Sequence, residues 1–163
     1  MSDRDWYVVN LGEAQAFRHP EFGSAVVFES DEQRFEQFGI NVRWLEPGLP
    51  ASMYHSEAAQ EAYLVLWGEA TLIVEDTERA LRAWDFVHLP PDTPHALVGA
   101  GEGPCAVVMV GTRLADAGLH FPVSEAAARY GASVAEATSD RAEAYANKAS
   151  GLDPREPFWP PEA

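Results

Sequence analysis

Cysteine is almost missing from this chain. A single Cys105 among 163 residues excludes an internal disulfide. It lies in the apolar run 104–110, Pro-Cys-Ala-Val-Val-Met-Val, where a buried, unreactive thiol is expected. Positive charge is scarce as well. Eleven Lys and Arg face 26 Asp and Glu, a formal charge of -15, and such a field repels nucleic acid and anionic membranes. No apolar run approaches the ~18 residues that a membrane span needs. The opening residues, Met1-Ser-Asp-Arg-Asp-Trp6, carry charge where a secretion signal is apolar. The expectation is a cytoplasmic protein of one structural domain, without nucleic-acid or membrane partners.

What is present reads as β-structure. Short β-prone runs fall at 6–10, 24–28, 39–44, 61–67, 70–75, 79–81, 86–89, 95–98 and 105–110, separated by Gly, Pro and Asp turn signals. Residues 11–23, with His19-Pro20, read as a loop or arm. In 40–44, Ile40, Val42 and Trp44 alternate with Asn41 and Arg43, the period of a half-buried strand. Many short strands at close spacing argue for an all-β sandwich or barrel. After residue 112 the composition shifts to alanine and glutamate, which predicts helix over 124–130, with Ser124 as N-cap, and over 133–147. A proline-rich tail, 151–163, carries Phe158 and Trp159, a pair suited to anchoring against the barrel or a partner subunit. The chain thus divides into an N-terminal arm with strands (1–38), a barrel (39–112), and a helical extension with its tail (113–163).

The stretch from Gly48 to Gly68 carries the chemistry. It holds His55, Glu57 and Glu61, and runs into the apolar strand Tyr63-Leu-Val-Leu-Trp67. Residues two apart on a strand share a face, so His55 and Glu57 can point the same way. Burying two carboxylates beside a histidine is costly unless a cation compensates them. Imidazole with carboxylate suits Zn, Mn, Fe, Co or Ni. The same residues also fit a solvated hairpin tip, because 56–60 are polar or small. Trp44, Met53, Tyr63 and Trp67 share a plausible inward face, either a ligand-binding pocket or ordinary barrel core. His19, His88 and His120 have no ligand-like neighbours and read as structural.

Two segments together resemble the motifs of the cupin superfamily. The first pattern is Gly, then His-x-His, a few residues, Glu, six residues, and Gly. Gly48, His55, Glu61 and Gly68 match it, with one extra residue before His55 and Glu57 in place of the second histidine. The second pattern runs from a Gly-Asp start through Pro-x-Gly to a histidine and, four residues later, an asparagine. Trp84-Asp85, then Pro90-Pro91-Asp92, then His95 and Gly99 stand in those places. The resemblance covers residues 39–112. It implies a jelly-roll β-barrel whose divalent metal is held by His55, Glu61 and His95, with Glu57 a fourth ligand by position or a nearby base. Zinc is the favoured ion as purified, with Fe, Mn, Ni or Co as alternatives. The resemblance also implies paired barrels, hence a homodimer, and a small-molecule ligand. The functional expectation is a metalloenzyme of oxygenase or isomerase type; the alternative is a binding module that does no chemistry. With two carboxylates ligating, the site is formally neutral and its bound water less acidic.

Overall fold

The computed structural model describes residues 6–30 and 32–155. Its strands are β1 (Gln15–His19), β2 (Gly23–Val27), β3 (Phe38–Leu45), β4 (Glu61–Trp67), β5 (Glu69–Val74), β6 (Thr77–Arg82), β7 (Phe86–Leu89), β8 (His95–Ala100), β9 (Cys105–Thr112) and β10 (Asp153–Arg155). They form two antiparallel sheets, one in the order β10-β1-β2-β3-β9-β4-β7 and the other β6-β5-β8. The expected all-β barrel architecture is present. The strands from β3 to β9 agree closely with the alternation and the turn signals. The N-terminal end differs. Residues 6–10 form no strand and lead into a short 3-10 turn at Leu11–Glu13, while the arm expected at 11–23 supplies β1. Val9 and Leu11 instead lie against the cluster of Ala16, Val26 and Val42.

The barrel interior is filled by Leu45, Tyr63, Val65, Leu72, Leu97, Cys105, Val107 and their neighbours. Cys105 is fully buried, and burial pushes its thiol up to about 11, as an inert core cysteine requires. The pairing register decides which side chains face inward. Glu61 lies opposite Gly111, which lies opposite Gly39; Tyr63 opposite Met109, which lies opposite Asn41; Val65 opposite Val107, which lies opposite Arg43. Side chains directly across a sheet share its face, so Asn41 and Arg43 point inward with Leu45. The Arg43 guanidinium donates to the Ala51 carbonyl, and burial lowers it from the ordinary arginine value. The alternate set, Ile40, Val42 and Trp44, points outward.

The helical extension is minor. Among the described residues α-helix is confined to two single turns, α1 (Glu125–Ala128) and α2 (Arg141–Ala144). Ser124 caps the first as expected, accepting from Ala127 N at 3.0 Å. Gly131, at φ +68°, ends it: Ala132 N bonds to Ala127 O and Gly131 N to Ala128 O, the paired bonds of a left-handed glycine stop. The chain then turns back, so that Thr138 bridges Phe121. Tertiary pairing thus overrides the alanine-rich helical propensity of 133–147. The extension covers the outer side of the small sheet through Ala126, Ala127 and Ala132 packed on Ile73, Ala96 and Val98. The Phe158–Trp159 pair lies outside the described residues.

Candidate metal centre

Three elements bring the site together. Glu61 begins β4 in the large sheet, and His95 begins β8 in the small one. His55 sits in the extended segment before β4. Its N–H donates to His95 O at 3.0 Å, and the His95 N–H returns to His55 O at 2.8 Å. This doubly bonded antiparallel bridge puts the two side chains on one face, with ring centroids 4.9 Å apart. One ligand atom from each of His55, Glu61 and His95 lies within 4.8 Å of the others. Two residues 40 positions apart in sequence are thereby joined.

The hydrogen bonds fix what these atoms are. His55 Nδ1 is 2.7 Å from Met53 O, and His95 Nδ1 is 2.8 Å from Thr93 O. A carbonyl only accepts, so each Nδ1 carries the hydrogen and each neutral ring presents an Nε2 lone pair. His95 Nε2 lies 2.9 Å from Glu61 Oε2. Two acceptors at that distance repel unless a proton or a cation lies between them. The Tyr63 hydroxyl stands 2.7 Å from His95 Nε2 and donates to Glu61 Oε1 at 3.3 Å. Two imidazole nitrogens oriented by main-chain carbonyls, beside one carboxylate, form a donor set that fits a divalent first-row ion.

The electrostatics agree with that reading. Burial, then the neighbouring His95, lowers the His55 imidazole below its usual range, which keeps its lone pair free. Burial alone would raise Glu61, but with a proton between it and His95 Nε2 the hydrogen bond and charge of His95, with smaller help from His55 and Tyr63, hold it below the ordinary carboxylate value, and a cation in that place would act in the same direction. Burial, then Glu61, raises the Tyr63 phenol well above its usual value, so it stays a donor. Glu57 lies outside the group of three. It is about half buried, and burial, then the charge of Glu61, raises its carboxyl.

The other expected site residues part company. Tyr63 is at the site. Met53 gives its carbonyl to His55, but its side chain packs with Phe22, Phe121 and Ala144. Trp44 and Trp67 lie on the opposite face of the large sheet, against Val26, Val42 and Ala106. Trp67 leaves the series Glu61, Tyr63, Val65 because a bulge between Val65 and Trp67 shifts the register. His88 pairs with Gln60, His19 with Ala149 O and His120 with Ser139; none joins the cluster.

Sequence reasoning missed the mouth of the site. A cavity of about 430 Å³ opens beside Glu61 and Glu57, and Asn41, Met109, Gly39, Gly111, Arg34 and Arg113 contribute to its wall. The two arginines are distant in sequence from the histidines, and only the β3–β9 pairing brings them near. Arg113 is not free: its guanidinium holds both oxygens of Glu29 at 2.6 and 2.8 Å and also reaches the Phe35 carbonyl.

A small antiparallel barrel with two histidines and a glutamate converging inside it resembles the barrel of the cupin domain family. Residues 43–111 match the cupin domain family. Solved structures agree. A sugar phosphate isomerase of the cupin superfamily from Silicibacter pomeroyi is similar at 23% identity, with a TM-score of 0.58 over 66% of this chain and 76% of that one. The polyketide cyclase RemF from Streptomyces resistomycificus is similar at 15% identity and a TM-score of 0.57, over 66% and 80%. A predicted oxalate decarboxylase from Thermotoga maritima is similar at 18% identity and a TM-score of 0.57, over 66% and 100%. At these identities the likeness is one of fold. The three names describe three different reactions, so the fold selects none of them. No curated protein matches the sequence.

Proposed function

We propose that this chain is a divalent-metal cupin that transforms a small organic molecule, as an oxygenase or an isomerase, with the ion held by His55, Glu61 and His95. The observation that carries this reading is the convergence of three acceptor atoms within 4.8 Å, two of them on rings whose other nitrogen is tied to a carbonyl. A bound divalent ion supplies Lewis acidity toward substrate oxygens. The chain supplies the rest. Tyr63 holds a donor hydroxyl at the ligand atoms, and Glu57, raised by burial and by Glu61, is positioned to exchange a proton beside them. The cavity next to Glu61 admits the substrate. Three protein ligands leave coordination positions for it. Zinc is the ion favoured as purified, and the setting favoured is the cytoplasm. Among the described residues no helix is long and apolar enough to cross a membrane.

The test is metal analysis of protein purified without tag or added salts, then oxygen uptake and isomerisation assays with small diols, diketones and thiols. About one equivalent of metal and turnover with at least one ion is expected. Metal without turnover under iron, manganese, nickel or zinc would favour the alternative, a binding module.

A homodimer is part of the proposal. The outward residues of β3, β9, β4 and β7 include no Asp, Glu or Lys in a chain of charge -15. Ile40, Leu64 and Val108 are only half buried there, and Phe86 at the sheet edge is 68% exposed. Two copies repel everywhere except across such a face, and sheets pack well face to face. Light scattering at micromolar concentration should give twice the chain mass. Phe86→Glu should shift it to the monomer.

A further inference from the structure

Beside Glu61 the barrel wall has no side chains. Glu61, Gly111 and Gly39 stand in one row across β4, β9 and β3, and both glycines line the cavity that opens there. Neither has the positive φ that would make glycine a backbone requirement. A Cβ on Gly111 would meet Glu61 Cγ at 3.4 Å, an ordinary contact, and one on Gly39 would press at 3.3 Å on the Arg113 guanidinium that Glu29 holds. The backbone therefore tolerates a larger residue at Gly111, and the lack of side chains at both places keeps open a passage to the Glu61 carboxylate.

One row further in, Asn41 lies opposite Met109, which lies opposite Tyr63. Asn41 lines the same cavity, and its side-chain Oδ1 is buried with no hydrogen-bond partner among the described residues. A buried acceptor without a donor is costly, and a turn of the Asn41 amide toward the cavity it lines would let it accept from a donor that comes from outside the chain. Fixed positive charge is poor here, because Arg113 is taken by Glu29, and only the exposed Arg34 remains at the rim. A phosphate ester finds no buried cation at this mouth.

We propose that the passage framed by Gly39 and Gly111 selects a small hydroxylated ligand, whose hydroxyl donates to Asn41 Oδ1 while a neighbouring oxygen reaches the His55–Glu61–His95 group. The proposal rests on the metal reading above and names the ligand class for that site. Asn41 is the specificity-determining residue, and the two glycines set the size limit.

The test uses the full chain loaded with cobalt(II), whose visible absorption reports both metal occupancy and ligand approach. Glycolate and acetate are titrated in parallel. Asn41→Leu, nearly the same size, should weaken glycolate binding about tenfold or more and leave acetate unchanged. Gly111→Val should weaken both by at least about tenfold by closing the passage, with the ligand-free cobalt spectrum unaltered. Equal glycolate affinity in Asn41→Leu and the parent chain overturns the hydroxyl assignment; unchanged affinities in Gly111→Val overturn the passage. A parent chain that takes up no cobalt overturns the metal reading together with this inference, so the two failures are told apart.

Discussion

Replacing His95 with alanine is expected to abolish stoichiometric metal binding. His95 is 2% exposed and lies at the centre of the cluster, 2.9 Å from Glu61 and 2.7 Å from the Tyr63 hydroxyl. Changes to residues that only orient a ligand cost about 10–100-fold in metal affinity, so loss of a ligand itself should cost at least that. The stability readout is independent of content. An ion present at about 100 times its dissociation constant stabilises a fold by about 2.7 kcal/mol, which in a domain of this size raises Tm by roughly 5–10 °C. Chelator should remove that increment from the parent chain and change nothing in His95→Ala. The variant also leaves Glu61 with only the longer contact from Tyr63, so content is measured on the folded, monodisperse fraction. Equal metal content in variant and parent sinks the assignment. Glu57→Gln is the finer comparison. Because Glu57 lies outside the close group of three, this variant should keep its metal, and its loss would restore Glu57 as a fourth ligand.

Much of this was legible in the chain. The resemblance to the cupin motifs pointed to His55, Glu61 and His95, and β4 and β7 were bounded correctly, because short apolar runs between Gly, Pro and Asp leave little freedom. Two tryptophans were misplaced, each for its own reason. Trp44 looked inward because it belongs to the apolar set of its strand. The large sheet, however, is apolar on both faces: Val9 and Leu11 cover part of the outer one. When both faces are buried, alternation no longer tells inside from outside. The informative signal was the polar set. Asn41 and Arg43 in the middle of a central strand are unusual, and they proved to face the interior. Trp67 failed for a second reason, since one bulged residue reverses the parity of everything after it. The mouth was not legible at all. Gly39, Asn41, Gly111 and Arg113 acquire meaning only through the β3–β9–β4 register, a long-range pairing that local sequence does not encode.

Gly68→Ala should be among the most damaging single-methyl changes in the barrel. Gly68 is the one residue between β4, in the large sheet, and β5, in the small one. The chain changes sheets at this point, and β5 then pairs with β8, which carries His95. The turn is tight in two ways. Gly68 has φ +70°, and its Cβ position lies 2.4 Å from Pro104 O and 2.9 Å from Cys105 Cα. A left-handed alanine costs about 1–3 kcal/mol, and displacing backbone in a packed core about 1–3 more. The sum, roughly 2–6 kcal/mol, corresponds to a Tm lower by about 5–20 °C in a domain of this size. Two controls separate the parts. Gly48 has φ +83° but nothing within 4 Å of its Cβ position, so Gly48→Ala reports the backbone cost alone. Gly111→Ala, with an ordinary contact and no positive φ, should change Tm by less than either. Because Glu61 and His95 belong to the two sheets that Gly68 joins, Gly68→Ala should also weaken metal affinity, although it touches no ligand. A Gly68→Ala variant that melts no lower than Gly48→Ala would show that the Pro104–Cys105 backbone yields, and that the two sheets are held in register by something other than this crossing.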